Sequence, residues 1–86
     1  MTDSPRSEGQ IFGPHLRRLR VARGLTQAQL AERADTNTMF ISKIERGVTT
    51  PTIGTLVRLA RALDCRVARL VEVFDLPLGP LKSRKG

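Results

Sequence analysis

Few residues of this chain have the types and spacing to do chemistry, and what they could do is hold a partner rather than transform it. Thr26-Gln27-Ala28-Gln29 matches the Thr-x-x-Gln capping box, with Leu25 and Leu30 at the flanking staple positions. The start of a helix offers free N–H groups and a positive dipole end, which favour an anion. A polar break, Asp35-Thr36-Asn37, follows, and then a segment carrying Thr38, Met39, Ser42, Lys43 and Arg46. Bond-making chemistry is excluded: there is no Gly-rich phosphate-cradling motif and no nucleophile with a base beside it, so no enzyme is expected. One His and one Cys, His15 and Cys65, cannot build a four-ligand zinc site without a supporting acidic cluster, so no metal, cofactor or small-molecule ligand is expected. A single Cys also forbids an internal disulfide.

The elements that must position these residues read as helices throughout. Eighty-six residues suffice for one small domain. Residues 1–10 are polar and aperiodic and read as a mobile arm. Gly13-Pro14 opens a first helix over about 13–23, with Pro14 at its first position and Gly24 as its stop. The capping box starts a second helix over about 27–34. Asn37 caps a third that runs through Glu45 to a stop at Gly47, with Ile41 and Ile44 facing inward. Thr52 caps a fourth, whose stripe is Ile53, Leu56, Leu59, Ala60 and Leu63, and a fifth spans about 67–74. The folded unit is therefore 11–75, all-α and five-helical, with 76–86 a basic tail. No segment alternates like a strand.

Fifteen Lys plus Arg against eight Asp plus Glu leave a formal charge of +7, which favours a polyanionic partner without naming it. That charge is unevenly spread: residues 1–24 carry five arginines against two acids, whereas 25–50 carry three cations against three acids. Three Phe with no Trp or Tyr argue against base-stacking platforms and against a membrane-interface belt. No run approaches the ~20 apolar residues needed to span a bilayer, and the N-terminus has no apolar signal region, so a cytoplasmic protein without a membrane partner is expected.

Two short helices flanking a three-residue turn, in a small all-α domain with a positive balance, describe a helix-turn-helix DNA-binding unit over about 27–45. The chain also resembles a known family. Leu16-Arg17-Arg18-Leu19-Arg20, Gly24-Leu25-Thr26-Gln27 with Leu30-Ala31, Ile41-Ser42-Lys43-Ile44-Glu45-Arg46-Gly47, Pro51-Thr52 and Leu56 to Leu63 are similar to the Cro/C1-type (XRE-like) repressors, over about residues 13–74. The resemblance implies a lambda-repressor-like fold and a sequence-specific transcriptional regulator that binds double-stranded operator DNA. It implies that Gln27 bonds a phosphate, with Asn37, Arg46, Thr49 and Thr50 as further phosphate candidates. It implies that Thr38, Met39, Ser42 and Lys43 face the bases, Lys43 toward guanine and Thr38 and Met39 toward a thymine methyl. Each of these also has an ordinary reading as a solvated side chain. Arg20 and Glu45 are implied to be a structural ion pair; Phe40 either packs against the neighbouring helix or lies beside the sugar-phosphate backbone, and with only three aromatics in the chain packing is favoured.

The chain departs from the family pattern at two places. Asp35-Thr36 stands where the turn usually carries Gly and an apolar residue, which puts Asp35 in the left-handed conformation at some strain. The loop Val48 to Thr52 carries no charge that could enter a minor groove. His15 reads as a surface residue and Cys65 as a buried, inert thiol. One such domain reads only a few base pairs, so a homodimer is expected, with Val67, Val71, Phe74 and Leu76 as interface candidates or, equally, as residues that close the core. Two alternatives stand beside this reading: an antitoxin that binds a toxin through residues 75–86 and represses its own operon, and sequence-blind electrostatic binding.

Overall fold

The computed structural model describes residues 7–75, and every element among them is helical. In chain order they are α1 (Glu8–Ala22), α2 (Gln27–Arg33), α3 (Thr38–Glu45), α4 (Ile53–Ala62) and α5 (Val67–Val71), which runs into a 3-10 turn, Glu72–Phe74. Leu76 and the tail proposed for toxin binding lie outside the described residues, apart from Asp75.

α1 begins five residues before the expected start, so the folded unit includes part of the expected arm. Ser7 Oγ accepts from the Gln10 N–H at 3.2 Å and Gln10 Oε1 accepts from the Ser7 N–H at 3.0 Å, a complete capping box. Pro14 therefore sits inside the helix rather than at its first position. A proline there removes one donor and crowds the preceding residue, and Gly13 has no Cβ for the ring to collide with.

Four helices end in the same way. At Gly24, Asp35, Gly47 and Asp64 the backbone turns to φ of 70°, 59°, 77° and 54°. In each case that residue's N–H and the one after it donate back to carbonyls of the last turn, as with Asp35 to Glu32 at 3.2 Å and Thr36 to Ala31 at 2.8 Å. This is the Schellman arrangement, and it satisfies carbonyls that would otherwise be left open. Between α2 and α3 it consumes Asp35 and Thr36, and the next residue, Asn37, already caps α3 through Oδ1 and the Phe40 N–H at 2.8 Å. No residue of the turn is left uncommitted, so the angle between the two helices is set locally.

Every helix gives the core at least one fully buried side chain: Leu16 from α1, Leu30 from α2, Ile41 and Ile44 from α3, Leu59 from α4 and Leu70 from α5, with Leu63 just after α4. Each contributes roughly 1.5–3 kcal/mol by leaving water. Phe40, Leu56, Val71 and Phe74 are half-buried against this cluster. Two expectations are corrected. Ile53, placed in the α4 stripe, is 78% exposed, because as the first residue of the helix it lies beyond the reach of the core. His15 is buried rather than on the surface: α5 folds back on α1, and the imidazole Nε2–H donates to the Arg69 carbonyl at 2.8 Å.

Candidate nucleic-acid interface

The start of α2 is fixed by a second capping box. Thr26 Oγ1 accepts from the Gln29 N–H at 3.0 Å, and Gln29 Oε1 accepts from the Thr26 N–H at 2.9 Å. Gln27, the first residue of α2, is half-buried, and its Nε2–H donates to Glu45 Oε1 at 3.0 Å. A carboxylate only accepts, so the amide nitrogen faces Glu45 and its second hydrogen is left for another acceptor.

Glu45 closes a network of four residues. Arg20 Nε–H donates to Glu45 Oε2 at 2.6 Å and Nη2–H to Oε1 at 3.0 Å, while Nη1–H donates to the Leu25 carbonyl at 2.8 Å. The two side chains are 11% and 3% exposed. Bidentate geometry and a third bond on the guanidinium compensate the desolvation of both charges. The side-chain hydrogen bond to Glu45 raises the Arg20 pKa above its ordinary value, burial lowers it, and the Glu45 charge raises it further. One carboxylate thus ties α1, the residue before α2's cap, the first residue of α2 and the end of α3 into a single unit.

That burial changes what a partner meets. Residues 25–50 are formally neutral, but one of their three acids is Glu45, which is turned inward against an arginine from α1. The outward face of α3 carries no acid. Met39, Ser42, Lys43 and Arg46 are related by three, four and seven positions, so they share one face, opposite Ile41 and Ile44. Met39 is 66% exposed, and Thr38, Lys43 and Arg46 are exposed as well. Ser42 is half-buried, and its Oγ accepts from Arg46 Nε–H at 3.2 Å. Asn37 spends its carbonyl on the cap, and its NH2 has no partner among the described residues. Thr49 is half-buried and Thr50 exposed in the loop after α3, and Val48 beside them is 63% exposed.

The dimer candidates divide differently. Val67 is exposed, Val71 and Phe74 are half-buried against the core, and Leu76 lies outside the described residues. Cys65 is half-buried, and burial pushes its thiol pKa up, partly opposed by Arg23 and Arg69. Among the described residues, no helix is long and apolar enough to cross a membrane.

Signals for these side chains were present in the sequence, but their pairings were not. The Gln27–Glu45 and Ser42–Arg46 bonds join groups that residue-by-residue reading assigns to separate tasks. The Ser7-x-x-Gln10 box is a readable start signal that competes with Pro14, itself a strong mark of a helix start.

Comparison with known proteins agrees with this geometry. Residues 16–70 match the helix-turn-helix family HTH_3. The chain is 36% identical over 66 residues to the uncharacterised HTH-type transcriptional regulator y4dJ of Sinorhizobium fredii, covering 77% of this chain and 86% of that protein. It is 37% identical over 59 residues to the immunity repressor protein of Bacillus phage phi105, covering 69% of this chain and 41% of that one. Among solved structures, the restriction-modification controller protein C.AhdI from Aeromonas hydrophila superposes with a TM-score of 0.71 at 33% identity, over 73% of this chain and 96% of its own. The clp gene regulator ClgR from C. glutamicum gives a TM-score of 0.76 at 25% identity, over 92% and 100%. With its capped α2, its committed turn and an acid-free face on α3, the chain belongs to the Cro/C1-type helix-turn-helix family of DNA-binding transcriptional regulators.

Proposed function

We propose that this protein is a sequence-specific regulator that acts on operator DNA in the cytoplasm as a homodimer, with α3 in the major groove. The observation that carries the reading is the outward face of α3, where Met39, Lys43 and Arg46 are exposed and form no ion pair among the described residues, while Glu45, the one acid of α3, is held inside by Arg20. An α-helix fits the major groove, and that groove presents a distinct pattern for each base pair. Thr38 and Met39 meet thymine methyls and Lys43 meets a guanine, with Ser42 on the same face. The phosphates fall to Gln27, Asn37, Thr49 and Thr50, all of them neutral donors.

Similarity to a restriction-modification controller and to a phage immunity repressor supports a regulator of gene expression. The homodimer follows from reach: two copies related by a two-fold axis place their α3 helices on successive major-groove faces about 34 Å apart. Val67 is the exposed candidate for the contact between copies, with Val71, Phe74 and Leu76 beside it in sequence.

Selection of bound sequences from a random duplex pool tests both parts. A two-fold symmetric motif is the expected result. A motif lacking symmetry would remove the homodimer, and a pool that stays random would remove sequence specificity.

A further inference from the structure

The bond between Arg46 and Ser42 changes the roles that sequence alone assigns to them. Read separately, Ser42 faces the bases and Arg46, at the end of α3, reaches a phosphate. In the structure Arg46 folds back one turn, and its Nε–H rests on Ser42 Oγ at 3.2 Å. Ser42 is short and half-buried, so the backbone of α3 fixes where its hydroxyl lies. Arg46 is long and exposed, and the bond through Nε leaves its two Nη groups without a partner among the described residues. They form a planar fork of parallel donors.

The direction of the side chain matters as much as the bond. Arg46 is seven residues from Met39 and three from Lys43, so it shares their face of the helix. Folded over Ser42, its guanidinium lies above the middle of that face rather than off its end. We propose, resting on the DNA-binding reading above, that Arg46 reads a guanine through its Nη fork, and that Ser42 is the positioning residue that holds the guanidinium plane. A phosphate needs only a nearby cation, which any orientation of the side chain supplies. The O6 and N7 acceptors of guanine need two donors at a fixed spacing and in one plane, which is what an anchored arginine offers.

The test uses the full chain and the symmetric duplex obtained by selection, with each base pair of one half-site changed in turn. Affinities are measured for the unaltered protein, Arg46→Lys, Ser42→Ala and Ser42→Thr. For the unaltered protein, one G·C pair should show a loss of roughly 10-fold or more when changed. Arg46→Lys should erase that preference while affinity for random duplex stays within about threefold, since the charge is kept. Ser42→Ala should narrow the preference at the same pair and nowhere else, and Ser42→Thr, which keeps the hydroxyl, should restore it. If Arg46→Lys weakens all sequences alike and leaves every preference intact, Arg46 is a phosphate contact and the proposal is overturned. If Ser42→Ala leaves the preference unchanged, the positioning role is overturned. If the unaltered protein prefers no base pair anywhere, the DNA-binding reading itself has failed.

Discussion

A β-carbon on Gly13 would lie 2.5 Å from the carbonyl oxygen of Glu45, and 2.6 Å from that of Ile44. The backbone of α1 therefore rests directly on the last turn of α3, with no side chain between them. Gly9 and Gly47 continue the same seam, since a β-carbon on Gly9 would meet the Gly47 carbonyl at 3.1 Å. α3 is held from behind at its C-terminal end by main-chain contact, while the Arg20–Glu45 pair holds it by charge.

Gly13→Ala is accordingly expected to destabilise the fold. Replacing glycine by alanine in a helix normally stabilises by about 1 kcal/mol. Here the atoms in the way are main-chain carbonyls that cannot swing aside, and overpacking of that kind costs roughly 1–3 kcal/mol or more. Urea unfolding should show a net loss of at least about 1 kcal/mol, and a gain would contradict the close approach.

Removing one member of the buried pair has a larger effect. Glu45→Ala leaves the Arg20 guanidinium with only the Leu25 carbonyl and takes away the partner of Gln27. A loss of roughly 3–5 kcal/mol is expected, a large fraction of a small domain's stability. A change below about 1 kcal/mol in thermal or urea unfolding would show that the pair is not structural.

The two left-handed aspartates offer the opposite sign. Asp35 and Asp64 adopt φ of 59° and 54° at helix ends where glycine carries no Cβ penalty. Asp35→Gly and Asp64→Gly should each stabilise by roughly 0.5–1 kcal/mol, less the entropy glycine adds to the unfolded chain. Asp35→Val should destabilise, because a branched side chain tolerates that conformation least.

What could be read from sequence follows the range of the forces involved. The α2–turn–α3 unit is legible almost to the residue, since Thr26, Asn37 and the positive-φ residues act on neighbours within one turn. The early start of α1 is encoded by Ser7 and Gln10, but Pro14 marks a helix start so strongly in general that it competes with them. His15, Gly13 and Ile53 are different. Their environments depend on how α5 and α3 lie against α1, or on how far the core reaches along α4, and no local pattern encodes that. The same limit applies to the site. Thr38, Met39, Lys43 and Arg46 announce an exposed face of mixed polarity, while the bonds from Gln27 to Glu45 and from Arg46 to Ser42 appear only when the helices are placed.

Cys65 gives a pH dependence with a defined sign. Burial raises its pKa, with Arg23 and Arg69 acting against that shift, so the folded thiol ionises later than an ordinary one. Alkylation by iodoacetamide should follow a curve displaced to higher pH than for the urea-unfolded chain. By linkage, the contribution to stability is intact below the ordinary thiol range. It is lost as pH rises through the folded value, because the unfolded chain ionises first.

Gln27→Ala should weaken binding to every duplex by a similar factor, since a phosphate donor carries no sequence information. Because the donor is neutral, the slope of log affinity against log salt should stay as it was. Lys43→Ala should do the reverse: relax preference at one base pair while changing affinity for random duplex little. A flatter slope for Gln27→Ala would mean that the amide acts through a nearby cation instead.

In the proposed function the unit from Thr26 to Gly47 presents α3 to a particular duplex, and the +7 charge supplies only a background field. The most direct measurement is the ratio of affinities, at one fixed salt concentration, for the selected duplex and for a scrambled duplex of equal length. A ratio of roughly 10³ or more is expected. A ratio near one, with both affinities falling equally as salt rises, would contradict the account and leave a sequence-blind cationic protein.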